Sequence, residues 1–363
     1  MSTLKVSPGI LDIAAYVPGR ATAEGGTRLI KLSSNETPLG TSPAAIKAFQ
    51  AIAGDLHRYP DGAAYDLRDA LAARWGLDAD RIVCGNGSDE LISLLAAAYA
   101  GPGDEVLMTE HAFAMYKIST QTNGATPIEV PEVKLTADVD ALLAAAGPNT
   151  RLCFLANPNN PTGTYIPSDA ARRLREGLPD HTLLVIDAAY AEYLRRNDYS
   201  PGIELVDGHD NVVMIRTFSK IFGLSALRLG WMYAPRGVID VVARIRSPFN
   251  VNAAAQAAGI AALQDTQFLD AAIEFNEHWM PWLEDQMRGL GLTVHPSSAN
   301  FVLVEFEDTA DHNAEAAYQY LLARGIVPRR LDNYGLPKCL RFSLGLENEN
   351  REVVAVLKEF LTR

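Results

Sequence analysis

A lysine that follows a hydroxyl residue at the end of a β-branched run is the first segment of this chain equipped for covalent chemistry. Val212–Ile215 reads as part of a strand spanning 211–216, and Arg216-Thr217-Phe218-Ser219-Lys220 continues from it. Open α/β sheets bind ligands in the crevice beyond the carboxyl ends of their strands, so an amine there points into that crevice. It can form a Schiff base with an aldehyde cofactor. The chain has only 8 lysines against 24 arginines, so candidates are few. Arg228 lies eight residues on, and with Ser219 it could hold a phosphate, for which an arginine fork is the usual partner. Gly223, Ser225 and Ala226 keep the intervening loop tight. Alone, Lys220 would read as a solvated surface residue; its neighbours argue against that.

Asp187 closes the apolar run Leu183-Leu184-Val185-Ile186 and faces the same crevice mouth. A carboxylate there keeps a pyridine nitrogen protonated, which makes the ring an electron sink. For Asp187 by itself, capping of a strand-to-helix turn is an equal reading. Tyr190 could bond the phenolic oxygen of such a ring. In Asn157-Pro-Asn-Asn160-Pro161-Thr162-Gly163, two prolines and a glycine force an irregular turn that can aim Asn160 at that oxygen. Gly85-Asn86-Gly87-Ser88-Asp89-Glu90 joins a short strand to a helix, whose first N–H groups suit a phosphate. Ser88 or Asp89 acting only as an N-cap is the plain alternative. His111-Ala-Phe-Ala-Met-Tyr116 offers Tyr116 as a ring to stack on a pyridine, although an aromatic at helical spacing is more often core. Arg341 interrupts the apolar run Cys339–Gly345. A buried arginine needs an anion, and a substrate carboxylate and a structural salt bridge are equal readings.

These residues need a scaffold, and the rest of the chain supplies its signals. After an arm rich in Pro and Gly (1–35), helical spacing over 43–53, 65–75 and 88–99 alternates with strand-like runs. The runs fall at 81–84, 104–108, 126–130, 151–156, 183–187 and 211–216. Continuous apolar strands suit a sheet covered on both faces, so 36–252 reads as a large α/β domain with a mostly parallel sheet. From 253 a long helical region runs to about Gly289, with a bend expected near Pro281. Strands at 300–306 and 339–345 and helices at 311–324 and 348–361 follow, a smaller α+β domain over 253–363 joined by the arm.

Composition bounds the function. With 363 residues, 48% apolar and 21% charged, the chain is ordinary globular material of more than one domain. Its net charge of −12 disfavours nucleic acid or anionic membrane as a partner. Cys84, Cys153 and Cys339 are scattered, so no structural metal site is expected. They suit a reducing cytoplasm, as does a start without the apolar core of a signal peptide. No G-x-G-x-x-G or G-K-[ST] occurs, which leaves a nicotinamide dehydrogenase or an ATP enzyme without support.

Together these residues resemble the fold-type I aminotransferases that use pyridoxal 5'-phosphate (PLP), and within them the histidinol-phosphate aminotransferase family. The resemblance begins at Gly9–Ile13 and Tyr16–Gly19 and continues through Leu32–Glu36 and Arg58–Gly62. After the Gly87–Glu90, Asn157–Gly163 and Thr217–Lys220 motifs it reaches Pro248–Asn252, Ala299–Phe301 and Tyr334–Pro337. It implies the PLP-transferase fold, with Lys220 as the Schiff-base lysine and proton shuttle and Asp187 as partner of the pyridine nitrogen. Asn160 and Tyr190 resemble the partners of the phenolic oxygen, and Tyr116 the stacking ring. Gly87, Ser88, Asp89, Ser219 and Arg228 resemble the phosphate cup, with Tyr59 lent by a second subunit, which implies a homodimer. Arg341 resembles the carboxylate clamp, and Asn35 falls in a matching substrate-side segment. Tyr16 and Arg329 are similar to the substrate-phosphate site, with Arg330 beside Arg329 leaving that choice open. The implied reaction exchanges an amino group between L-histidinol phosphate and 2-oxoglutarate, in histidine synthesis. An aromatic aminotransferase, or a decarboxylase of a phosphorylated amino acid, would keep the same cofactor residues. A PLP-sensing regulator would need an added DNA-binding domain.

Overall fold

The computed structural model describes residues 6–7, 9–16, 29–309 and 311–363. Residues 17–19 of the Tyr16–Gly19 match and most of the arm lie outside them.

Seven strands form the main sheet: β1 (Ile82–Gly85), β2 (Glu105–Thr109), β3 (Thr126–Val130), β4 (Thr150–Ala156), β5 (Leu183–Asp187), β6 (Val212–Thr217) and β7 (Gly230–Tyr233). Their spatial order is β1-β7-β6-β5-β4-β2-β3. Six run parallel and β7 runs antiparallel to both neighbours. The sheet is therefore mostly parallel, as the apolar runs predict. β5 and β6 are buried at every position, because helices cover both faces and each side chain meets a core. The reading of the sequence had no strand at 230–233. Its Gly-Trp-Met-Tyr run carries no apolar–polar alternation and none of the β-branched residues that mark a strand. Gly230 lets β7 pass the start of the helix Ser88–Tyr99, since a Cβ there would lie 2.4 Å from the Ser88 nitrogen.

Four antiparallel strands form a second sheet, β8 (Thr293–His295), β9 (Phe301–Glu305), β10 (Arg329–Arg330) and β11 (Cys339–Ser343), in the order β8-β9-β11-β10. Its core gathers Val302, Val304, Leu340 and Phe342 with Trp279, Leu283 and Phe360. Ile30–Lys31 pairs in parallel with Ile326–Val327, which ties the end of the arm to this core.

The expected helical region 253–289 is two helices, Ala253–Gln264 and Thr266–Gly289. The interruption falls at Asp265 and not at Pro281, which lies within the second helix. Asp265 leaves helical geometry, caps the Phe268 N–H and accepts from the Ser42 hydroxyl at 2.5 Å. The first helix packs on Pro43–Ala51 and Tyr65–Trp75, and Ala255, Ala258, Leu269 and Ile273 belong to the core of the main sheet. Among the described residues no helix is long and apolar enough to cross a membrane.

Candidate active site

Three adjacent strands end at one place. β4 leads to Asn160, β5 ends on Asp187 and β6 leads to Lys220, with Ala156, Asp187 and Ile215 in lateral register. These residues open on a cavity of about 200 Å³ that reaches the second sheet at Arg329 and Arg341. The sequence-predicted residues Tyr16, Asn35, Ser88, Asp89, Tyr116, Tyr190, Ser219 and Arg228 also line it.

Lys220 Nζ donates to the Ser34 carbonyl at 3.2 Å and lies 5.6 Å from the centre of the Tyr190 ring. Burial, with the positive charge of Arg341 adding to it, brings its amine down to about 8. A neutral fraction, which is the nucleophilic form, is therefore present near neutrality. Asp187 is 6% exposed, and burial raises its carboxyl to about 6 against the lowering effect of the Tyr116 bond. The Tyr190 hydroxyl, pushed up to about 12 by burial, accepts from Asn35 Nδ2 at 2.8 Å. Asn35 is held in turn by Ser343, whose hydroxyl accepts from the Asn35 N–H at 2.7 Å and donates to its side-chain oxygen at 2.9 Å.

At the other end the helix Ser88–Tyr99 begins at Gly87, in the left-handed region at φ 80°, with no side-chain cap. Arg228 leans across this end. It donates to Asp89 at 2.8 Å, to the Ser219 hydroxyl at 3.3 Å and to the Ser225 carbonyl at 3.1 Å. A Cβ on Gly87 would meet Arg228 Nη2 at 2.5 Å, so this close approach needs glycine. An uncapped helix start beside a guanidinium and two hydroxyls is a seat for a phosphate dianion. With an amine and a buried carboxyl at the far side, the donor set fits a phosphorylated pyridine aldehyde.

Arg341 is 5% exposed. It donates to the Asn160 side-chain oxygen and, at 2.9 Å, to the Ser33 carbonyl, and its Nε is buried without a partner. Among the described residues no carboxylate lies within ion-pair distance, so the structure favours the anion clamp over a structural salt bridge. Arg329 is 7% exposed and its guanidinium lies 5.8 Å from the Tyr16 ring, whereas Arg330 pairs outward with Glu315 and Asp332. Arg329 is thus the one that meets the cavity.

One expectation needs correction. Tyr116 does not present a ring face. It is fully buried, stacks on Phe154 at 4.6 Å and spends its hydroxyl on Asp187. The half-buried aromatic that lines the cavity is Phe113. It lies three residues earlier in the same motif and went unread because Tyr116 had the polar handle. Tyr59, expected to serve a second copy's site, lies outside this chain's cavity, 82% exposed and stacked on Phe249 at 4.6 Å. Tyr334, quoted from sequence only as part of a motif, is a buried wall of the cavity.

Residues 27–357 match the family described as aminotransferase class I and II. Histidinol-phosphate aminotransferases from Paramagnetospirillum magneticum and Rhodopseudomonas palustris are 56% and 51% identical to this chain. The first match covers 98% of each chain and the second the whole of both. The crystal structure of histidinol-phosphate aminotransferase from Sinorhizobium meliloti in complex with pyridoxal 5'-phosphate superposes with a TM-score of 0.89 at 28% identity. It covers 99% of this chain and 98% of that one. With Lys220, Asp187 and Asn160 at the ends of three neighbouring strands and the match spanning nearly the whole sequence, the chain belongs to the class I and II aminotransferases.

Proposed function

We propose that this chain binds PLP on Lys220 and transfers an amino group between L-histidinol phosphate and 2-oxoglutarate, giving imidazole-acetol phosphate and L-glutamate. The observation that carries the reading is Arg341, a buried cation with a spare N–H, facing the same cavity as Lys220. The names of the relatives supply the choice of substrate.

When bound, PLP supplies an aldehyde that condenses with amines and a ring that withdraws electrons from the substrate's Cα. Ser88, the Asp89 N–H, Ser219 and Arg228 hold its phosphate, Asp187 its pyridine nitrogen, and Asn160 and Tyr190 its phenolic oxygen. Phe113 supplies the stacking surface. Lys220 Nζ removes the proton from the donor's Cα and redelivers it within the site, for which an amine near 8 is well matched. Arg341 orients the carboxylate of glutamate and 2-oxoglutarate. Arg329 and Tyr16 serve the phosphate of the other pair. One site used twice implies ping-pong kinetics. The aromatic walls Phe113, Tyr16 and Tyr334 support aromatic amino acids as secondary donors.

Tyr59 fits a role in the phosphate cup of a second copy, so we take the working enzyme as a homodimer of the cytoplasm. The larger domain extends past residue 252 into the helix Thr266–Gly289, because residues to Ile273 share its core. The smaller domain takes the remainder together with the end of the arm. The deciding experiment follows the cofactor absorbance of the PLP-loaded protein after adding L-histidinol phosphate, L-glutamate or L-phenylalanine separately. Rapid amination with the first two supports the proposal. Amination with phenylalanine and glutamate alone moves the chain to the aromatic enzymes.

A further inference from the structure

We propose that His111 and Glu132 form a positioning pair that holds the loop carrying Phe113 against the turn carrying Tyr334, and so keeps two walls of the substrate cavity in register. The proposal rests on the aminotransferase reading of that cavity but not on the choice of histidinol phosphate.

His111 Nδ1 lies 3.0 Å from Glu132 Oε2, and the two side chains are 12% and 1% exposed. The second carboxylate oxygen of Glu132, Oε1, is buried with no partner. A half-satisfied buried carboxylate is poor stabilising material, since a buried ion pair seldom outdoes an apolar replacement. Its value is better sought in what the pair joins. On one side, His111 stands two residues before Phe113, and its carbonyl accepts from Asn159 Nδ2 at 3.1 Å. That bond fixes the loop to the turn carrying Asn160. On the other side, the His111 ring faces Gly335, where an added Cβ would come within 3.8 Å of Nε2. Gly335, at φ 72°, ends the Asp332–Tyr334 turn. The Tyr334 hydroxyl faces the Ala114 N–H, and Ala114 and Leu135 pack with Tyr334, Leu331 and Leu303. The pair therefore lies at the seam between a loop of the main sheet and a turn of the second.

The seam is sensitive to pH. Burial opposes charge on His111. The bond to Glu132 and the negative charges of Glu132, Glu110 and Glu129 outweigh it and hold the imidazole protonated above its ordinary range. Glu110 is on its own loop, Glu129 on β3 and Glu132 on the following hairpin. From the second sheet's side Tyr334, kept neutral by burial, faces the Ala114 backbone of the same loop. As pH rises through the raised His111 value, the pair loses its positive partner, the seam loosens and substrate binding weakens.

The test uses the full-length PLP-loaded enzyme with L-glutamate, comparing wild type, Glu132→Gln and His111→Gln across about pH 5.5 to 9. In the wild type the KM for glutamate should climb roughly threefold or more over that range, while kcat, which follows the Lys220 amine, keeps the same pH profile in wild type and Glu132→Gln. In Glu132→Gln the KM should be high throughout and its pH dependence lost. Nuclear magnetic resonance of the histidine ring protons, with His111 identified by its absence in His111→Gln, should show an elevated midpoint in the wild type. In Glu132→Gln that midpoint should fall, because the bond and charge that raise it are gone. A KM profile for Glu132→Gln that superposes on wild type overturns the proposal. If that variant does not fold, a wild-type His111 titrating at its ordinary value does the same. Failure of wild type to react with glutamate would instead overturn the aminotransferase reading.

Discussion

The Tyr116 hydroxyl donates to Oδ2 of Asp187 across 2.7 Å, and this bond holds one oxygen of the carboxylate proposed for the cofactor ring. The other oxygen accepts from the Ala189 N–H at 3.2 Å. Asp187 is thus oriented from behind by a residue that itself touches no solvent.

Tyr116→Phe should release Asp187 without disturbing the core, since the ring still stacks on Phe154. PLP affinity should change little, while the pH optimum of the glutamate half-reaction moves upward because the bond that lowers Asp187 is gone. Phe113→Ala should do the opposite, weakening PLP binding by about three- to tenfold, as expected for an aromatic contact of about 0.5–1.5 kcal/mol. Equilibrium dialysis on both variants checks this. Equal losses in the two would return the stacking role to Tyr116.

Asp187 also has a signature in stability. Its folded value, about 6, lies above its ordinary value of 3.8. The cofactor-free fold therefore binds this proton more tightly than the unfolded chain does, and stability falls as pH rises from 3.8 to 6. The contribution is of order 3 kcal/mol, fully present below the lower value and lost above the upper. Urea unfolding of cofactor-free wild type and Asp187→Asn should show their difference changing by about that much across this window. Parallel curves would mean the carboxylate is not strained by burial.

Lys220 has its value lowered to about 8, so the reactive amine grows in as pH rises to that point. PLP uptake by the cofactor-free protein should accelerate over the same range and level off above it, read by stopped-flow absorbance. Lys220→Ala should cut turnover by about a thousandfold or more. Substantial steady transamination in that variant would remove Lys220 from the mechanism.

The two buried arginines should separate by substrate. Arg341→Ala should raise the KM for 2-oxoglutarate and glutamate strongly, by about 2–5 kcal/mol in kcat/KM, the usual cost of stranding a buried anion. Arg329→Ala should affect the phosphorylated substrate more than glutamate, and Arg330→Ala should affect neither, because it pairs outward with Glu315 and Asp332. Steady-state kinetics on the three variants decides between them.

Sequence by itself placed Lys220, Asp187 and Asn160 at or just beyond the carboxyl ends of strands. Each follows an apolar run that can only be a covered strand, and strand ends in such sheets open on the ligand crevice. It also located the helix start at Gly87–Ser88 and the general plan of two sheets. Tertiary structure alone decided what lies across gaps in the chain. Whether Arg329 or Arg330 meets the cavity depends on the pairing of a two-residue strand with β11, and side chains alternate faces there. Phe113 and Tyr116 carry interchangeable ring chemistry in the sequence. Only the packing of Tyr116 on Phe154, a residue of β4, consigns it to the core. Asp265 interrupts a continuous helical pattern where Ser42, 223 residues away in sequence, bonds its carboxylate. Periodicity reports which side of an element is apolar; partners supplied by distant segments are set by how the elements dock, and no local pattern encodes that.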